Sequence, residues 1–114
     1  MLRIFSIIPF LLFSSPALSA DYKVTHLDPN RVFKGTTLLA DMTDSSRPRV
    51  VEVNFQGKIL WEYNPPLSMA GAILDATKLV NGNVLLTIRG SGIYEVNLKG
   101  DVVWSHKDPG ASHD

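Results

Sequence analysis

Three histidines, His26, His106 and His113, carry the readiest chemistry in this chain, since a neutral imidazole near pH 7 is a nucleophile, a base or a metal ligand. Cysteine is absent and the histidines are scattered singly, so no zinc-binding spacing arises. Asp41 and Asp44 lack the glycine and the further spaced carboxylates of a calcium loop. Arg89 precedes Gly90-Ser91-Gly92 and could take an anion, although a solvated cation at a strand end is the plainer reading. His26, ahead of Leu27-Asp28-Pro29, reads as a turn residue, and His106 as an exposed residue of an outer hairpin beside Trp104. What His113 and its neighbour Asp114 can do depends on the elements that hold them.

Those elements repeat. Residues 52–63 read EVNFQGKILWEY and residues 95–106 read EVNLKGDVVWSH, so that Glu52 and Glu95, Gly57 and Gly100, and Trp61 and Trp104 are each separated by the same 43 positions. A second phrase, FKGTTLL at 33–39, returns as VNGNVLL at 80–86 with an offset of 47, so a few residues are inserted between the fixed parts. A repeat of about 40–50 residues built from short strands is the range of a β-propeller blade.

No stretch after residue 20 keeps a helical apolar period beyond two turns, and period-two or short apolar runs dominate instead. In the first unit Tyr22–Leu27 is expected to give an innermost strand, followed by strands at Thr37–Asp41, Arg49–Asn54 and Lys58–Tyr63. The polar stretch Met42–Pro48 is a loop, and Asn64-Pro65-Pro66 stops pairing because proline has no N–H to give a ladder. In the second unit, strands are expected at Ala72–Leu79, Val84–Ile88, Ile93–Leu98 and Asp101–His106. Asn81-Gly82-Asn83 would turn the chain through the positive φ that asparagine and glycine tolerate. The fold class is therefore all-β, with four-stranded antiparallel blades: blade one over about 22–66, blade two over about 72–106, and a third beginning at 107–114. Two blades cannot close a ring of about 4–8. The chain is accordingly expected to be the N-terminal part of a longer propeller, or else to associate with other chains through exposed sheet edges. Trp61 and Trp104 are expected to pack between adjacent blades.

The N-terminus carries one cation at Arg3, an apolar run from Ile4 to Phe13, and the small-residue stretch Ala17-Leu18-Ser19-Ala20. That is the layout of a secretory signal peptide over residues 1–20, cut after Ala20 or after Ser19. The apolar run is shorter than the roughly 20 residues a membrane span needs, so no stable span is expected once it is removed. Export places the mature chain in a periplasm or outside the cell, without disulfides to stabilise it. Hydrophobic residues at 45% indicate an ordinary globular chain. Lysine plus arginine and aspartate plus glutamate both number 11, so no net field attracts nucleic acid, and no basic stripe interleaved with aromatics is present.

Taken together, VVEVNFQGKILWEY at 50–63, DATKLVNGNVLL at 75–86 and IYEVNLKGDVVW at 93–104 resemble the bacterial arylsulfotransferase family and its relatives among quinoprotein-like β-propellers. The resemblance extends over most of residues 33–114. Members of that family move a sulfuryl group from a phenolic sulfate ester to a phenol acceptor, through a transiently sulfated histidine and without a nucleotide donor. No cofactor or metal is expected for this chain. In the family pattern a His-Asp pair heads the inner strand before the Leu-x-Asn-Gly-Asn turn. The resemblance thus implies a catalytic role for His113 and a substrate-binding role for Asp114, in a completed ring. In the preceding blade the matching pair is Leu74-Asp75, which lacks the histidine. The expected function is the N-terminal part of an exported arylsulfotransferase-like propeller that is inactive alone. The alternative is a non-catalytic periplasmic propeller that binds or scaffolds a partner.

Overall fold

The computed structural model describes residues 21–69 and 71–112. They form seven strands: β1 (Thr36–Asp41), β2 (Arg49–Asn54), β3 (Ile59–Tyr63), β4 (Ile73–Lys78), β5 (Val84–Ile88), β6 (Gly92–Val96) and β7 (Val102–Lys107). A single 3₁₀ turn at Leu67–Met69 lies between β3 and β4. Strands β1-β2-β3 make one antiparallel sheet and β4-β5-β6-β7 a second, each in chain order. The architecture is all-β, as the alternation of apolar and polar residues predicts.

The first sheet has three strands rather than four, because Tyr22–Leu27 forms no strand. The Tyr22 N–H bonds to the Gly57 carbonyl at 2.9 Å, and the Tyr22 ring packs on Val51, Val53 and Ile59. The segment therefore crosses the face of the sheet instead of pairing along the edge of β1. The other strands fall within a residue or two of their expected places.

The repeated phrase folds the same way twice. In the first unit Asn54 Oδ1 accepts from the backbone N–H groups of Gln56 and Lys58, and in the second Asn97 Oδ1 accepts from those of Lys99 and Asp101. The glycine of each turn, Gly57 at φ 83° and Gly100 at φ 86°, holds the left-handed conformation that a side chain opposes. Immediately after the turn each hairpin carries a bulge at the same place: Val53 faces Ile59 and Glu52 faces Trp61, as Val96 faces Val102 and Glu95 faces Trp104. One residue, Leu60 or Val103, is left unpaired, which sets the tryptophan opposite the glutamate.

Alternation along the strands divides each sheet into two faces. On the first sheet Val50 and Tyr63 turn toward the second, where they join Ile73, Val84, Leu86, Ile88, Tyr94 and Val96 in one buried cluster closed by Met69. Leu38, Trp61 and Ala76 pack at its margin. The opposite face of the first sheet carries Val51, Val53 and Ile59, covered by Tyr22. The second sheet buries only the face toward the first. Its last strand, β7, is exposed along its length, and Trp104 is 50% exposed. The two tryptophans thus differ: Trp61 packs between the sheets and Trp104 does not, because no described sheet follows β7.

Candidate functional site

Two groups of polar side chains arise from this frame. The first lies at the end of the first sheet where β1 leads into the polar loop. Asp41 closes β1 and Arg49 opens β2, and the antiparallel register makes them direct partners. Arg49 Nε donates to Asp41 Oδ2 at 2.9 Å and Nη1 to Glu62 Oε1 at 3.2 Å, while Nη2 donates to the Tyr22 hydroxyl at 3.1 Å. The Tyr22 hydroxyl donates in turn to Asp41, and the guanidinium carbon stands 5.5 Å from the centre of the Tyr22 ring. The hydrogen bonds from Tyr22 and Thr43 hold the Asp41 carboxyl well below the usual carboxylate range. Burial, followed by the bond to Asp41, pushes the Tyr22 phenol up.

This cluster borders a cleft of about 440 Å³ lined by Asp41, Thr43, Asp44, Arg47, Arg49 and Glu62, among others. The Arg49 guanidinium is answered by two carboxylates, Asp41 and Glu62, while Arg47 stands at the edge of the cleft. The chemistry of the cluster is that of a clasp: it ties the N-terminal segment to the loop end of the β1–β2 hairpin and, through Glu62, to β3. A second cleft of about 640 Å³ opens between the β1–β2 loop and the segment that joins the sheets, with Met42, Pro65, Pro66, Leu67 and Met69 among its walls and Arg47 at its side.

The second group lies between the sheets. Glu52 Oε1 accepts from Thr36 Oγ1 at 2.7 Å, and its other oxygen, Oε2, accepts from Lys78 Nζ at 3.0 Å across the interface. The Thr36 bond, helped by Lys78, lowers the Glu52 pKa. Beside it the Trp61 indole Nε1–H donates to the Leu98 carbonyl at 2.9 Å, and the Trp61 and Tyr63 rings lie parallel with centroids 6.3 Å apart. In the second sheet Glu95 Oε1 accepts from Asn81 Nδ2 and Asn83 Nδ2, both at 3.0 Å, and these bonds lower its pKa.

The residues singled out from sequence are not brought together. His113 and Asp114 lie outside the described residues, as does the expected signal peptide over 1–20. His106 stands exposed on β7 and His26 is exposed in the N-terminal segment. Arg89 is exposed at the end of β5, where its N–H bonds to the Ala72 carbonyl. Asp41 proves to be a salt-bridge partner, and Asp44 bonds to Ser46 in its own loop. Asp75 bonds to Thr77 within β4. The turn at 81–83 also works differently from expectation: Gly82 alone takes the positive φ, at 89°, while the two asparagines direct their amides to Glu95.

Sequence reading passed over Arg49, Tyr22 and the two glutamates of the repeated phrase. The signal for the glutamates was present, since a charge kept at a fixed place beside the tryptophan has a partner to meet. The signal for Arg49 was the hairpin itself, whose register sets it against Asp41. Nothing local in the sequence foretold Tyr22. Compared with protein-family models, curated proteins and solved structures, the chain gives no match in any of the three.

Proposed function

We propose that the chain contributes the first two units of an exported β-propeller of the arylsulfotransferase type, in which His113 and Asp114 head the inner strand of the next unit. The observation that carries this reading is the recurrence of one hairpin in both sheets, with the same asparagine-capped turn, the same bulge and the same Glu–Trp pair: Glu52 with Trp61, Glu95 with Trp104. In the completed ring the His113 imidazole attacks sulfur, the S–O bond to the donor phenol breaks, and the phenol leaves. The acceptor phenol then attacks the sulfur, the S–N bond to His113 breaks, and the acceptor's proton passes to the released imidazole. Each half is a displacement at sulfur with a stable leaving group.

A second reading is favoured by the pairing of charges among the described residues. Arg49 is matched to Asp41 and Glu62 within the first sheet, and Lys78 to Glu52 across the two sheets, so these groups serve the framework rather than face a substrate. That suits a propeller serving as a binding scaffold. Release of 4-nitrophenol from 4-nitrophenyl sulfate with phenol as acceptor separates the two. The enzyme reading expects no turnover from this chain alone, and turnover from a longer product of the same reading frame that His113→Ala abolishes. A complete ring without turnover would leave the scaffold.

A further inference from the structure

The larger cleft, of about 640 Å³, stands between two stiff walls. On one side β3 runs out into Pro65-Pro66, whose rings fix φ and offer no N–H for pairing. The 3₁₀ turn that follows is held by the Met69 N–H on the Pro66 carbonyl at 2.9 Å, and the Tyr63 hydroxyl donates to Met69 Sδ at 3.6 Å. On the other side Asp44 accepts from the N–H groups of Ser46 and Arg47, and Pro48 biases Arg47 toward an extended backbone. Leu67 stands at the rim with 93% of its surface exposed.

Charge separates this cleft from its smaller neighbour. Asp41, Asp44 and Glu62 line the smaller one, whereas among the described residues no carboxylate lines the larger. Arg47 and Asn64 line both, so they stand where the two meet, and Arg47 is the single charged residue of the larger cleft among the described residues. Unlike Arg49, Arg47 makes no side-chain hydrogen bond or ion pair among the described residues, and the nearby Asp44 carboxylate bonds to Ser46 instead.

We infer that the larger cleft binds a free fatty carboxylate, with its head on Arg47 and Asn64 and its alkyl chain along Met42, Pro65, Pro66, Leu67 and Met69. A preformed apolar cleft with a few convergent polar groups is the usual form of a small-molecule site. Among the described residues no aromatic ring lines it, so it offers no platform for stacking, while methionine side chains adapt to a flexible chain. A carboxylate is planar and meets a guanidinium through two parallel N–H bonds. The three carboxylates of the adjoining cleft repel a doubly charged head such as a phosphate monoester, and one charge is what Arg47 can answer. The site uses neither His113 nor sulfuryl transfer, so the inference goes beyond the propeller reading and does not depend on it.

The test uses the full chain with decanoate, which stays monomeric at millimolar concentration, and with decanol, which has the same chain and no charge. Isothermal titration calorimetry should give saturable binding of decanoate, with decanol roughly tenfold weaker. Octanoate, shorter by two methylenes, should also bind roughly tenfold more weakly than decanoate. Arg47→Ala should bring decanoate down to the level of decanol and leave decanol unchanged, and Leu67→Ser should weaken both several-fold. Both side chains are exposed, so neither change threatens the fold. Arg31→Ala removes another exposed cation and should alter neither ligand.

Equal affinity for decanoate and decanol, uptake that does not saturate, or an Arg47→Ala variant that binds decanoate as before would overturn the inference, as would no binding at all. Vesicles of phosphatidylglycerol present the other source of a single negative charge on alkyl chains. Sedimentation of the chain with such vesicles, without binding of decanoate, would make this surface a membrane contact and would overturn it too.

Discussion

The Trp61 indole on the first sheet hands its N–H to the Leu98 carbonyl on the second, 37 residues away at 2.9 Å. The bond ties β3 to the turn between β6 and β7, and it sits beside the Glu52–Lys78 pair at the edge of the shared apolar cluster. Trp61→Phe keeps most of the apolar area and removes the bond, and should cost about 1 kcal/mol. Trp61→Ala, which also opens the margin of the cluster, should cost about 3 kcal/mol. Urea unfolding of the two variants measures both values, and an unchanged Trp61→Phe would show that the bond contributes nothing.

Leu86 is fully buried at the centre of the cluster that joins the sheets. Leu86→Ala should cost about 3 kcal/mol, the upper part of which depends on how little the two sheets can close over the space. Leu98→Ala is the contrast. That side chain is exposed and only its backbone carbonyl is used, so the change should stay within about 0.5 kcal/mol.

Two glycines of positive φ should respond differently to alanine. Gly82, at φ 89°, has open space where a Cβ would stand, so Gly82→Ala carries the backbone penalty alone, about 1 kcal/mol. At Gly57 the same Cβ would meet the Tyr22 carbonyl oxygen at 2.3 Å. Gly57→Ala should therefore also lift the N-terminal segment, which amide hydrogen exchange at Tyr22 and Ile59 would report as lost protection. Gly82→Ala should leave that protection intact.

Asp41 ties stability to pH. Its folded pKa is depressed by the Tyr22 and Thr43 hydrogen bonds, below the unfolded value of about 3.9. The unfolded state binds the proton more tightly, so the stabilisation is fully present above pH of about 5 and is lost as pH falls through the folded value. Glu52 is depressed in the same direction by Thr36 and Lys78. Asp41→Asn should cost about 2 kcal/mol at neutral pH and flatten the acid limb of the stability profile. A variant with the acid limb of the original chain would show that Asp41 does not carry it.

Much of this fold was legible because each unit is written twice. Strands β2, β5 and β6 follow from alternating valine, leucine and isoleucine between turn residues, and the spacing of Asn, Gly and Trp places the hairpins. The missing inner strand of the first unit was not legible. Tyr22–Leu27 has the composition of a strand, and only tertiary contacts, Tyr22 with Asp41 and Arg49, draw it across the sheet instead. The unequal burial of Trp61 and Trp104 was hidden for the same reason: identical local sequence meets different neighbours. The clasp around Arg49 joins residues 22, 41, 49 and 62, a separation that only the assembled sheet brings together.

The most direct test of the propeller reading is the nucleotide sequence that follows codon 114. The account predicts that the reading frame runs on, directly or after a single shift, into further copies of the Asn-x-x-Gly-x-x-x-Trp phrase. Histidines should head later inner strands. A stop followed by unrelated sequence would contradict it.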